Sequence, residues 1–307
     1  MIDDNWITFL KENNFLVGLS LDGPQHIHDK YRVMKGGQGS WEKVTKSAEL
    51  MLNASVEVNA LTVLNNYSAQ FPEEIYNYHK SLNLNFMQFI PCLESDLNED
   101  NIIAPFSLTP ELYGTFLIKI FDLWFAEFEK NRATTSIRLF DSLFHHYAGY
   151  SPPQCTLMEE CGVYVVVEHS GDVYACDFYV EPEWKLGNVK TDKLVEMLNS
   201  EKQKVFGELK GELPEECLAC AWLSQCQGGC PKDRVINPTN KKLNYFCKSY
   251  KMLFEHSDIP FQRLTKSWKK EQLKLSEKGF SKNKIGRNDS CFCGSGKKFK
   301  NCCMDLN

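Results

Sequence analysis

Two runs of sequence decide how this chain is read: CTLMEECGVYVVVEHSGDVYAC at residues 155–176 and CLACAWLSQCQGGC at residues 217–230, with a further cysteine at Cys247. Their spacing is Cys155-x5-Cys161-x9-Gly171-x4-Cys176, then Cys217-x2-Cys220-x5-Cys226-x3-Cys230. Thiolates are soft donors that suit iron–sulfur clusters and zinc alike. Four complete one 4Fe–4S cluster, so these eight suffice for two. Gly171 permits a tight turn that brings Cys176 back towards Cys161. One C-x2-C pair would suit zinc equally well, and one or two cysteines are commonly small buried hydrophobes. Eight within the 93 residues from Cys155 to Cys247 imply a metal module, while spacing alone leaves iron and zinc both open.

The rest of the composition narrows the setting. The 307 residues allow about two domains. No apolar run approaches the ~20 residues that span a bilayer, so no membrane association is expected. The N-terminal MIDDNWITFLKENN is acidic and amphipathic and lacks the basic region and small-residue cleavage site of an export signal. Thirteen cysteines without an export signal point to the cytoplasm and to metal rather than a disulfide scaffold. The net charge of −5 is uneven: residues 261–307 carry 12 Lys/Arg against 4 Asp/Glu, and the rest 23 against 36. Residues 262–283, rich in lysine and serine, read as a helical or flexible linker, preferably a solvated, mobile one.

Upstream, strands and helices alternate. Residues 15–22, 55–64 and 84–91 read as strands, the first stopped by Gly23-Pro24. Residues 40–53, with Ser40 as N-cap, and 72–81 have helical spacing. Alternation implies a parallel sheet, but about three strands are too few for a closed barrel. Thr109-Pro110-Glu111 opens a long helix to about Glu129, whose stripe of Phe116, Phe121, Trp124, Phe125 and Phe128 reads as core. A short helix follows at 137–147. After Ser151-Pro152-Pro153 a β-hairpin turning at Ser170-Gly171-Asp172 and a helix over 191–208 are predicted. Cys92, after the third strand, reads as a packed thiol. His145, His146 and His169 form no convincing metal pair.

The cysteine pattern closely resembles the auxiliary-cluster (SPASM) domain of radical S-adenosylmethionine enzymes, in particular the anaerobic sulfatase-maturating enzymes. LVGLSLDGP at 16–24, with His28-Asp29-Lys30 and Arg32, and MQFIPCLE at 87–94 resemble strands of their barrel. The resemblance covers roughly residues 5–260. It implies an α/β fold: a partial radical-SAM (β/α) barrel over 1–108, a helical connection over 109–150, a SPASM domain over 151–260 and a basic linker over 261–283. It assigns Cys155, Cys161, Cys176 and Cys230 to one 4Fe–4S cluster and Cys217, Cys220, Cys226 and Cys247 to a second. Asp177 matches the family's proposed general base; by itself it would read as a turn aspartate. Ser20, Asp22, Arg32 and Asn59 lie where such enzymes contact S-adenosylmethionine, Arg being able to grip a carboxylate with two hydrogen bonds. Taken as residues alone, Ser20 and Asp22 suit strand-end hydrogen bonding and Arg32 a salt bridge. The resemblance also implies a sulfatase polypeptide as substrate and an electron donor such as flavodoxin or ferredoxin. One departure stands out. The family's C-x3-C-x2-C motif, which binds the radical-generating cluster, is absent, and no cysteine precedes Cys92. The chain is therefore expected to be a fragment or degenerate copy, inactive alone.

The tail, GRNDSCFCGSGKKFKNCC at 286–303, places Cys291, Cys293, Cys302 and Cys303 within tetrahedral zinc reach. So short a piece cannot build a core, and metal would supply its folding energy. It closely resembles the SEC-C zinc motif, so residues 284–307 are expected to bind zinc and a partner protein, with Lys297, Lys298 and Lys300 as a basic face. Two functions remain in view. One is a sulfatase maturase, or its C-terminal part, converting a cysteine or serine to formylglycine. The other is a cluster-bearing peptide-binding module or another SPASM peptide modifier.

Overall fold

The computed structural model describes residues 2–96, 102–129 and 133–277, together with Lys298. The four tail cysteines lie outside the described residues. Helix α1 (Asp4–Glu12) is capped by Asp3, whose carboxylate accepts from the Trp6 amide at 3.0 Å. Strand β1 (Leu16–Ser20) follows, then the single turn α2 (Gln25–His28), α3 (Trp41–Asn53), β2 (Glu57–Leu64), α4 (Pro72–Ser81) and β3 (Phe86–Pro91). Helix α5 (Pro110–Glu129) leads to a short strand β4 (Ser136–Ile137) and α6 (Arg138–Ala148). The strands lie in the order β1-β2-β3-β4, all parallel, with Gly18 opposite Asn59, Ala60 opposite Met87 and Met87 opposite Ile137. The two-residue β4 is an addition to the three expected strands.

Side chains alternate across a strand, so β2 shows which face is covered. Val58, Ala60, Thr62 and Leu64 are buried, whereas Asn59, Leu61 and Val63 are only half-buried. Ser20 lies exposed on the open side of β1. Ser40 does not cap α3 as expected. The Trp41 amide donates instead to Asp29 Oδ1 at 2.9 Å, and the Ser40 hydroxyl donates to the Arg32 carbonyl at 2.8 Å.

Beyond α6 the predicted hairpin forms as β5 (Val166–Val167) and β6 (Asp172–Tyr174), and β7 (Lys185–Asn188) extends it to an antiparallel sheet of three. Gly171 takes the turn at φ +90°, where a Cβ would meet Asn188 Oδ1 at 3.0 Å. The single helix expected over 191–208 is two, α7 (Leu194–Leu198) and α8 (Glu201–Glu208). Ser200 between them is extended, and its hydroxyl accepts from the Gln203 amide at 3.2 Å, so a new N-cap interrupts the run. Three single turns follow: α9 (Glu215–Leu218), α10 (Leu223–Cys226) and α11 (Lys232–Val235).

Helix α12 (Cys247–Glu277) takes the helical, not the flexible, alternative read for residues 262–283, as far as Glu277. It runs through Pro260, and Phe261 and Thr265 are buried. Phe261 packs among Phe121 and Trp124 of α5 and Tyr147 of α6, with ring centroids 5.3, 5.9 and 5.3 Å away. The main core therefore lies between α5, α6, α12 and the covered face of β3. A second cluster, with Leu10, Leu21, Met51, Val58 and Leu84, joins α1 and α3 to β1 and β2. The predicted aromatic stripe of α5 is core: Phe116, Phe121 and Trp124 are buried, and Phe125 and Phe128 pack against them.

Candidate metal centres and the adjoining cleft

The cysteines are presented by short turns rather than by long elements. Cys155 opens a 3-10 turn. Cys161 lies in a loop whose amide donates to the Gly207 carbonyl of α8 at 3.1 Å. A Cβ on Gly207 would stand 2.9 Å from the Cys161 carbonyl oxygen, so glycine lets α8 back directly onto this loop. Cys176 follows β6. Cys230 follows Gln227, Gly228 and Gly229, three successive left-handed residues at φ 48°, 72° and 68°. Cys226 ends α10 on the near side of that loop, and Cys247 opens α12.

Cys217, Cys220, Cys226 and Cys247 line one small cavity with Trp222, Tyr250 and Phe254. Burial pushes the Cys226 thiol up to about 12, and the charges of Cys247 and Cys217 push the same way. The charges of Cys176 and Cys155 act on the Tyr164 phenol, and those of Cys230, Cys176 and Cys161 act on Tyr179. Burial is the main cause holding both phenols protonated far above their ordinary range. Burial raises the Cys176 thiol to about 11 and also raises Cys161, Cys217, Cys230 and Cys247. Metal binding to these thiols thus releases protons.

All nine described cysteines are free thiols. Among the described residues, no three His, Cys, Asp or Glu side chains converge closely enough to hold a single metal ion. The donor set itself suits iron–sulfur clusters: eight soft thiols, four of them lining a single cavity. Cys92 is half-buried past β3, and burial raises its thiol.

Asp177 is exposed beside Cys176. The Tyr164 hydroxyl donates to Asp177 Oδ1 at 2.8 Å and lies 3.6 Å from the Cys176 sulfur. The sequence reading missed Tyr164, which looks like any aromatic on a hairpin strand. Phe178 lines a cleft with Gln88, Ile90, Gln154, Cys230 and Lys232. This cleft joins the C-terminal end of β3 to the cysteine-rich segment, the end of parallel strands where α/β sheets bind ligands.

Asp22 and Arg32 come together. Arg32 Nε donates to Asp22 Oδ2 at 2.6 Å and Nη2 to Oδ1 at 3.1 Å, and the Val63 amide also donates to Oδ1 at 2.9 Å. The two-pronged grip of Arg32 is therefore on a carboxylate of its own chain. Ser20 and Asn59 sit on neighbouring strands, two residues apart in register. His28 accepts from the Asp22 amide at 3.2 Å, and its other nitrogen lies 3.0 Å from the Ser40 hydroxyl. No helix among the described residues is long and apolar enough to cross a membrane.

Comparison with known proteins places this geometry. Residues 155–221 match the SPASM family of iron–sulfur cluster-binding domains, and residues 287–305 match the SEC-C motif. The fold and its cysteine-rich segment thus define an iron–sulfur protein of the radical S-adenosylmethionine class. The chain is 40% identical over 255 residues to the cysteine-type anaerobic sulfatase-maturating enzyme of Clostridium novyi, covering 83% of this chain and 68% of that enzyme. It is 39% identical over 272 residues to the serine-type enzyme of Bacteroides thetaiotaomicron, covering 83% of this chain and 65% of that enzyme. The solved structure of native anSMEcpe with bound AdoMet and Cp18Cys peptide matches with a TM-score of 0.78 at 37% identity, covering 87% of this chain and 74% of that one. The chain belongs to the anaerobic sulfatase-maturating enzymes. It spans about two thirds of the length of the curated relatives it matches.

Proposed function

We propose that this chain carries the auxiliary-cluster and substrate-facing part of an anaerobic sulfatase maturase, acting on a cysteine or serine of a sulfatase polypeptide to give formylglycine. Cys155, Cys161, Cys176 and Cys230 would hold one 4Fe–4S cluster, and Cys217, Cys220, Cys226 and Cys247 the other. When bound, these clusters supply an acceptor for an electron removed from the substrate. The observation that carries the reading is the placement of Asp177: an exposed carboxylate tied to the Cys176 turn and held by the Tyr164 hydroxyl at 2.8 Å. A carboxylate so fixed is positioned to accept the proton of a substrate thiol or hydroxyl. The adjoining cleft would receive the peptide, with Lys232 and Gln154 as polar groups on its wall. Ser20 and Asn59, on the open face of the sheet, remain the groups for S-adenosylmethionine. Asp22 and Arg32 would shape that face as a pair. An electron donor such as flavodoxin or ferredoxin would serve the clusters, and the SEC-C tail would bind zinc through Cys291, Cys293, Cys302 and Cys303 and dock a partner protein. The setting is cytoplasmic.

The test is iron, sulfide and zinc per chain after anaerobic reconstitution. About eight irons, eight sulfides and one zinc are expected. Zinc with little iron would sink the reading. A second reading is a cluster-bearing peptide-binding module, with the cleft beside Cys230 as its peptide site. The two separate on reductive cleavage of S-adenosylmethionine. We expect no 5′-deoxyadenosine from the 307-residue chain, and turnover would discard that expectation.

A further inference from the structure

Two cations are buried between the cysteine loops. Lys210 is wholly buried and Arg234 is 5% exposed. Among the described residues, no carboxylate lies within ion-pair distance of either. Both donate to backbone carbonyls instead. Lys210 Nζ reaches the carbonyls of Cys155 at 2.9 Å, Thr156 at 3.1 Å and Met158. The Arg234 guanidinium reaches Gly228 at 3.1 Å, Lys210 at 3.0 Å, Glu212 at 3.2 Å and Gln227 at 3.4 Å.

Carbonyls satisfy the hydrogen bonds of a cation but carry no net charge. Burying two unpaired positive charges is costly unless a negative charge lies near. The free thiols, held protonated by burial, do not supply it; the same cysteines as thiolate ligands of a cluster would. Lys210 acts electrostatically with Cys161, Cys155 and Cys226. Arg234 does so with Cys217, Cys230, Cys161 and Cys226. Each cation thus lies within electrostatic reach of cysteines assigned to both clusters, Lys210 also feeling the repulsion of Arg234, and Arg234 holds the carbonyls of the loop joining Cys226 to Cys230.

We propose that Lys210 and Arg234 form a shared cationic bridge that raises the reduction potentials of both clusters and fixes the two cysteine loops against each other. The inference rests on the reading of these cysteines as cluster ligands. Cluster potential follows net charge and hydrogen bonding around the sulfurs. A positive charge facing both sites favours the addition of one electron to either. Both residues act through the clusters and are positioning residues.

The test uses the reconstituted full chain. Lys210→Gln and Arg234→Gln keep an amide donor and remove the charge, while Lys210→Arg and Arg234→Lys keep it. Iron per chain is measured first. The cluster potentials are then read by anaerobic titration with dithionite, the one-electron reductant, followed by electron paramagnetic resonance. In the glutamine variants the reduction equilibrium constant should fall at least tenfold, or 59 mV for a one-electron couple. Arg234→Gln should move both cluster signals, and Lys210→Gln mainly that of the Cys155 set. The charge-keeping variants should stay close to the parent. Unchanged potentials in fully loaded glutamine variants would overturn the proposal. So would equal shifts in charge-removing and charge-keeping variants. If a glutamine variant fails to hold iron, retention in its charge-keeping counterpart supports the bridge, and equal loss in both overturns it. A parent chain that takes up no iron removes the cluster reading itself. A parent that loads normally beside unmoved variants removes the bridge alone.

Discussion

Replacing Phe261 by alanine tests the packing that positions α12, and with it Cys247 at the helix start. The ring is wholly buried, stacked on Tyr147 at an interplanar angle of 14° and tilted against Phe121 and Trp124. Burying a phenylalanine side chain contributes about 1.5–3 kcal/mol. Each well-placed aromatic pair adds about 0.5–1.5 kcal/mol. The neighbours belong to α5 and α6 and are held by their own contacts, so collapse into the void is limited. The expected cost is about 4 kcal/mol, within the range of about 3–5 for Phe→Ala in cores. Against a total of about 5–15 kcal/mol the loss is large. The assay is urea unfolding of the metal-free chain followed by tryptophan fluorescence, read as the shift in midpoint multiplied by the slope. Lys269→Ala, exposed on the same helix, should change stability by no more than about 0.5 kcal/mol. A loss below about 1 kcal/mol for Phe261→Ala would refute the reasoning and restore a mobile segment after residue 260.

Three further outcomes are expected. Gly207→Ala should improve α8 by about 1 kcal/mol of helix propensity yet press on the Cys161 carbonyl, lowering bound iron from about eight to about four per chain; eight retained irons would remove the role given to this contact. Burial holds the folded-state thiols of Cys226 and Cys176 at about 12 and about 11, above the ordinary 9.0, so the metal-free fold keeps their contribution below about pH 9 and loses it as pH rises through the folded values. A urea midpoint no lower at pH 10 than at pH 8 would contradict this, and metal uptake should run the opposite way, improving as pH rises. Arg32→Met leaves the buried Asp22 carboxylate without its cation and should cost about 3 kcal/mol in a urea melt. Adding Asp22→Asn should recover more than half of that cost, and simple additivity of the two changes would argue against the pair.

Much of this architecture was legible in the residues themselves. The β-branched run ending at Leu64 and the aromatic stripe from Phe116 to Phe128 state their periods openly, and Thr109 does accept from the Leu112 amide at 3.3 Å. The eight cysteines declared a metal module because so many thiols near one another have few other uses. What was hidden depends on tertiary partners. The lysine- and serine-rich run after residue 261 hides a helix that the rings around Phe261 hold in place, carrying it through Pro260. Asp29 caps α3 from twelve residues upstream, a distance no local pattern encodes. Lys210 and Arg234 look in sequence like two more surface charges, and only the fold encloses them. Tyr164 gains meaning only once the hairpin brings it to Asp177.

The order of the cysteines along the chain has a consequence for how the protein is made. With the ligands partitioned as proposed, Cys230 belongs with residues more than fifty positions earlier, and Cys247 with residues on the other side of Cys230. Any cut between Cys155 and Cys247 divides at least one set. The segment therefore cannot be split into two half-modules by proteolysis, recombination or design. On the ribosome neither site has all its ligands until its last cysteine has emerged, the first at Cys230 and the second only seventeen residues later at Cys247. With that partition, iron delivery to the second centre must wait until the whole region has been synthesised, after the first already has its ligands.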